Sequence, residues 1–142
     1  MNINNVKFKK IIPTDSQIHE LYSLLLARKF SISHEKVPSI KEHSDFVFHH
    51  PYVAWFLAYK NESLIGSVYV QTDNSIGINL IEVSEDHLLS VIHYIKKNYK
   101  PLPSIKSVRR GEFFVNVAPE NTNFIQTLKN LGKMDVAHSF II

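Results

Sequence analysis

Between residues 52 and 83, three β-like segments follow one another with only two short polar breaks, and that spacing constrains the chain more than any other feature. Residues 52–60 alternate Val53, Trp55, Leu57 and Tyr59 against Ala54, Phe56 and Ala58, the pattern of a strand with both faces partly covered. Asn61-Glu62-Ser63 and Asp73-Asn74 supply turn chemistry, which makes residues 64–72 and 75–83 the second and third strands. A parallel pair needs a crossover of a dozen residues or more, so breaks this short force hairpins. The segment is predicted to be a three-stranded antiparallel meander.

The flanks read as helices and further strands. Val6, Phe8, Ile11 and Ile12 precede Pro13, which suits a first strand, since proline cannot donate to an interior ladder. Thr14-Asp15-Ser16 then caps a run in which Ile18, Leu21, Tyr22, Leu25 and Leu26 share one face, giving a helix of about 13 residues. After a polar stretch over residues 31–39, Pro38-Ser39 opens a second helix over residues 40–50, with Ile40, His43 and Val47 on its inner face. Leu88, Val91, Ile92, Ile95 and Tyr99 mark a third, amphipathic helix that ends before Pro101 and Pro103. Residues 113–117 form an apolar run suited to a buried strand, residues 121–131 a last helix stopped by Gly132, and residues 134–142 a closing strand. The step from residue 75 to residue 117 is predicted to be a right-handed parallel crossover. The fold class is therefore α/β (α+β): a mixed, mostly antiparallel twisted sheet of about six strands with four helices on its faces.

Composition narrows the rest. With 142 residues and 44% apolar content the chain suits one domain, residues 1–142, around one core. It has no cysteine, which excludes disulfides, thiolate metal sites and cysteine nucleophiles and favours a reducing compartment. Residues 1–10 hold no apolar core of signal-peptide length, and the longest apolar run, residues 52–59, is too short to cross a bilayer, so a cytoplasmic protein without membrane attachment is expected. Sixteen basic residues against thirteen acidic ones are spread along the chain, which does not imply nucleic acid. Association of two copies through sheet edges or apolar faces is left open.

Four stretches resemble the Gcn5-related N-acetyltransferase family across nearly the whole chain. Leu64-Ile65-Gly66-Ser67-Val68-Tyr69-Val70 is similar to that family's third strand, Asn74-Ser75-Ile76-Gly77-Ile78-Asn79-Leu80 to its fourth, and Phe114-Val115-Asn116-Val117-Ala118-Pro119-Glu120-Asn121 to its fifth. The stretch from Asn121 to Leu131-Gly132 is similar to its last helix. Ile32-Ser33-His34, Pro38-Ser39, Glu42-His43, Phe46-Val47 and His50-Pro51-Tyr52 resemble a bacterial branch of these enzymes. The resemblance implies a splayed central strand pair and transfer of an acetyl group from acetyl-CoA to a primary amine of a small molecule, an amino sugar for example, by direct attack. It also implies cofactor contacts at Asn79, Leu80, Ile81, Asn116 and Asn121, with His34, Ser39 and Trp55 on the acceptor side. Backbone donors suit this work because preorganised amides favour the charge that develops on the acyl oxygen. For Asn121 helix capping is at least as common a role, and for Trp55 a place in the core is the commoner one.

Two places depart from that pattern. Val83-Ser84-Glu85-Asp86-His87-Leu88 stands where the family has a glycine-rich loop for the cofactor diphosphate, and it contains no glycine, lysine or arginine. Its two carboxylates at a helix start satisfy the helix dipole and repel phosphate, so ordinary capping is the commoner reading. Lys96, Lys97, Lys106, Arg109 and Arg110 could compensate by charge, although solvated surface is the commoner role. Leu128 stands where many members carry a proton-donating tyrosine.

His43 is a candidate base, because amine acetylation needs a group titrating near neutrality, and Glu82 is its rival. The plainer role for His43 is a hydrogen-bonded residue beside Ile40 and Val47. The eight histidines show no metal-binding spacing, and no nucleophile elbow or dinucleotide fingerprint occurs. The alternative to an enzyme is a catalytically inactive descendant of the fold that binds a ligand or protein and has lost the cofactor.

Overall fold

The computed structural model describes residues 5–28 and 36–142. Its elements run β1 (Val6–Lys10), α1 (Asp15–Ala27), α2 (Ile40–His49), β2 (Ala54–Lys60), β3 (Ser63–Val70), β4 (Ile76–Leu80), α3 (Glu85–Asn98) and α4 (Thr122–Asn130). Four strands form one antiparallel sheet in the order β1-β2-β3-β4. The meander is thus present, with β2 and β3 joined by a two-residue turn in which Asn61 and Glu62 both have positive φ, 49° and 66°. That geometry matches the right-handed twist of the strands it joins.

Every helix opens on a side chain that accepts a hydrogen bond from a free amide of the first turn. Thr14 caps α1, Ser39 forms a capping box with Glu42 on α2, Ser84 caps α3 and Asn121 caps α4. The α4 terminus is closed by Gly132 at φ 81°, where the Gly132 amide donates to Lys129 O and the Lys133 amide to Leu128 O. This pairing satisfies two carbonyls that the helix leaves open.

The period-2 pattern of β2 places Trp55 and Leu57 on one sheet face against Ile18, Leu21 and Leu24 of α1 and Val47 of α2. Ala54 and Phe56 face the other way, joining Val68, Val70 and Ile76 under Val91 and Ile95 of α3. A third cluster, Leu80, Leu88 and Phe124, lies where β4, α3 and α4 meet. Among the described residues no helix is long and apolar enough to cross a membrane.

Among the described residues the sheet has four strands rather than six. Residues 113–117 make one parallel bridge to the start of β4, Ser75 to Phe114, and then leave it. Their apolar side chains pack on the α3 and α4 side, so burial rather than strand pairing accounts for the run of hydrophobic residues. Residues 134–142 form no strand, because they have no backbone partner among the described residues: Met134 is 85% exposed and Phe140 83%.

Candidate functional site

The decisive geometry is on the outer edge of β4. Its first amide, Ile76 N–H, donates to Phe114 O at 2.8 Å, and Phe114 N–H donates back to Asn74 O at 3.2 Å. Beyond this vertex residues 115–117 run clear of β4. Successive amides along a strand alternate sides. The Ile81 amide donates to Ile65 O on β3 at 2.9 Å, and Ile76 points the opposite way, so Ile78 and Leu80 also aim their N–H groups outward. Neither has a hydrogen-bond partner among the described residues. A wedge-shaped slot with two unpaired donors on one wall results.

This corrects part of the residue assignment. Leu80 lines the slot, but the Ile81 amide is committed to Ile65 and the Asn79 amide lies on the β3 side. The Asn79 side chain reaches across to Leu24 O at the end of α1, at 3.4 Å. Ile78, which the sequence did not single out, turns its amide outward instead. Gly66 sits opposite Leu80 across the ladder, and a Cβ there would overlap the Asn79 carbonyl oxygen. Glycine is what lets β3 lie this close beneath the free amides.

The vertex is held by a residue that the sequence presented as a turn and the start of a strand. Asn74 has φ 74° and is 1% exposed. Its Nδ2 donates to Leu102 O at 3.0 Å and Arg110 O at 2.8 Å, while its Oδ1 accepts from Leu102 N–H at 2.7 Å. The Asn74 side chain therefore ties the 102–110 loop to the hairpin tip, while its main-chain carbonyl accepts from Phe114 N–H. An open cleft of about 500 Å³, lined by Asp73, Lys106, Arg109 and Arg110 among others, lies at this vertex end.

The slot opens at the other end, between the starts of α3 and α4. There Ser84 Oγ already holds the His87 amide at 3.1 Å, and Glu85 and Asp86 occupy the first turn of α3. Asn123 Nδ2 contacts Val83 O at 3.4 Å, joining the two helix starts. The cations that could offset the carboxylates are elsewhere. Lys96 and Lys97 lie in the last turn of α3, roughly 16 Å along its axis. Arg109 donates to Pro103 O and Thr72 O at the vertex, and Arg110 lies over the Phe114 ring at 5.0 Å. One wall of the slot thus carries two unpaired amides, and the carboxylates at its mouth do not suit an anion.

Other candidates take structural positions. Asn121 accepts from Phe124 N–H as the α4 cap, and Asn116 is exposed. Ser39 Oγ is spent on the Glu42 amide. Trp55 is 7% exposed, in edge contact with His50 at 5.0 Å and Tyr52 at 5.1 Å, and its Nε1 is buried without a partner among the described residues. His34 lies outside the described residues.

His43 is buried between α1 and α2, with Nε2 3.2 Å from Ile18 O. A carbonyl only accepts, so Nε2 carries the proton and Nδ1 is the basic nitrogen. Burial pushes the imidazole pKa down, opposed by the bond to Ile18 O. The ring is thus neutral at pH 7, as a base must be. Yet Ile18 is six residues from Leu24, where Asn79 meets α1, or about 9 Å along the helix. Glu82 is closer to the opening, two residues past the end of β4 and exposed. Its carbonyl accepts from His87 Nδ1 at 3.1 Å, which leaves His87 Nε2 free to accept a proton.

Four helices around an antiparallel meander whose last strand parts from the next segment at a single bridge define a recognisable architecture. The fold is that of the Gcn5-related N-acetyltransferases. A spermidine N-acetyltransferase from Vibrio cholerae superposes with a TM-score of 0.61 at 14% identity, over 97% of this chain and 86% of that one. The N-acetyltransferase PseH of Campylobacter jejuni superposes at 0.59 and 15% identity, over 95% and 92%. An aminoglycoside N-acetyltransferase gives 0.61 at 12% identity, over 91% and 86%. No family model and no curated protein sequence matches the chain, so the likeness to this acetyltransferase fold is carried by the backbone.

Proposed function

We propose that this chain transfers an acetyl group from acetyl-CoA to the primary amine of a small molecule, an amino sugar among the candidates. The observation that carries the reading is the parting of β4 from residues 115–117, which leaves the Ile78 and Leu80 amides bare on a slot wall. A structural neighbour supports the choice of donor, since the Campylobacter jejuni enzyme has been solved in complex with acetyl coenzyme A.

Acetyl-CoA brings the activated thioester. The Ile78 and Leu80 amides hydrogen-bond the arm and the acyl carbonyl, where fixed dipoles favour the negative charge that builds as the amine attacks. Glu82 and His87 stand near the opening and take the proton from the amine, directly or through water. His43 is the alternative base, reached only if α1 and α2 part. With Leu128 in place of a hydroxyl donor, the leaving thiolate takes its proton from solvent.

A ligand that binds only the native state stabilises it by about 2.7 kcal/mol at a hundred times its Kd. For a domain of this size that raises Tm by roughly 8 °C. A thermal-shift titration with acetyl-CoA is expected to show such a rise, and assays of thiol release against a panel of amines are expected to show turnover. No shift with folded protein removes the reading. That outcome favours the second reading, an inactive ligand- or protein-binding domain that has lost the cofactor, which the carboxylates at the slot mouth and Leu128 support.

A further inference from the structure

Residues 106–110 hold three cations, Lys106, Arg109 and Arg110, and all three line the open cleft of about 500 Å³ at the vertex end of the slot. Asp73 is the one carboxylate on that wall, and its Oδ1 accepts from the Ser75 amide at 2.8 Å. Three positive charges against one negative leave the wall at +2, since lysine and arginine are protonated at pH 7.

The cations are set in place before anything binds. Arg109 Nε donates to Pro103 O at 2.8 Å and Nη1 to Thr72 O at 3.4 Å, which leaves its Nη2 donors unspent. The Arg110 guanidinium lies over the Phe114 ring at 5.0 Å, and no carboxylate pairs with any of the three cations among the described residues. The backbone that carries them is tied as firmly. Ile105 N–H donates to Arg109 O and Arg109 N–H to Ile105 O, each at 2.8 Å, and Val108 N–H closes the turn on Ile105 O at 2.9 Å. Ser107, the third residue of that turn, takes the left-handed conformation at φ 64°. Asn74 holds both ends of the loop through the Leu102 and Arg110 carbonyls. Like charges gathered in a rigid loop repel one another, a cost that dispersed surface charge avoids and a bound anion offsets.

We infer that this cleft binds the phosphate group of a small molecule, as a site separate from the acyl-donor slot. A phosphate monoester carries about −1.5 to −2 charges at pH 7, which matches the wall, whereas a carboxylate carries about half as much. Its oxygens accept from the guanidinium forks of Arg109 and Arg110 and from the Lys106 ammonium, with the Ser104 and Ser107 hydroxyls on the same wall. A nucleic-acid backbone calls for cations in a stripe along one face, and these belong to a single loop. The site draws on no residue of the slot mouth, so it stands whether or not acetyl-CoA binds.

Calorimetric titration of the full chain with inorganic phosphate at low salt is expected to show one saturable site. The double substitution Lys106→Gln and Arg110→Gln removes two exposed charges and no hydrogen bond, and is expected to weaken binding by about tenfold or more with an unchanged far-UV spectrum. Lys96→Gln with Lys97→Gln removes the same charge from the far end of α3 and is expected to leave the affinity within about twofold. Absence of saturable binding by the folded protein overturns the inference, as does binding that the Lys106 and Arg110 substitutions leave intact. Equal weakening by both pairs overturns it too, since net charge alone would then draw the ion. A single-stranded oligonucleotide that displaces phosphate and binds far more tightly, with a steep dependence on salt, overturns it in favour of nucleic acid.

Discussion

Asn74 combines three roles that rarely fall on one residue: a left-handed backbone, a buried side chain, and hydrogen bonds to two carbonyls and one amide far along the chain. Asn74→Ala keeps none of the bonds and strains the backbone, so a loss of about 3–4 kcal/mol is expected in urea unfolding. Asn74→Gly relieves the strain but not the lost bonds and is expected to recover about 1 kcal/mol of that. His43 makes a different prediction. Its folded pKa lies below the unfolded value of 6.5, so the unfolded chain binds the proton more tightly and stability rises with pH across that window. His50 is shifted in the same direction by burial. Melting temperature is expected to hold above pH 6.5 and fall as pH drops below it, with a shallower fall in His43→Gln. Sequence could name both residues, and the plainer role of His43 as a hydrogen-bonded residue, but not the partners. The partners of Asn74 are 28 and 36 positions away and that of His43 is 25, distances at which local patterning carries no signal.

At the scale of elements, what was legible follows the range of the forces involved. Caps, helix faces and two-residue turns are decided by neighbours within a few positions, and Thr14, Ser39, Ser84, Asn121 and the β2–β3 turn all stand where the sequence put them. Strand membership is decided by a partner. Residues 113–117 and 134–142 have strand-like composition and lack ladders in this chain, so reading them as strands five and six overstated the sheet. The slot edge offers a direct check of its donors. Proline at Ile78 removes an outward N–H and no β3–β4 bond, whereas proline at Asn79 removes a ladder bond. Ile78→Pro is expected to weaken acetyl-CoA binding at least tenfold by calorimetry while melting several degrees above Asn79→Pro.

Over the whole molecule, α1 and α2 cover one face of the sheet and α3 and α4 the other, and the bare edge of β4 leads to the α3 and α4 starts. Anything held in the slot with a charged tail must trail that tail beside Glu85 and Asp86. The nucleotide end of the donor is then ballast: acetyl-pantetheine, or acetyl on cysteamine, should acylate amines within a few-fold of the rate with the complete cofactor, and raised salt should narrow whatever gap remains. A preference of a hundredfold or more for the complete cofactor, measured as kcat/KM, would show that the tail finds a grip after all.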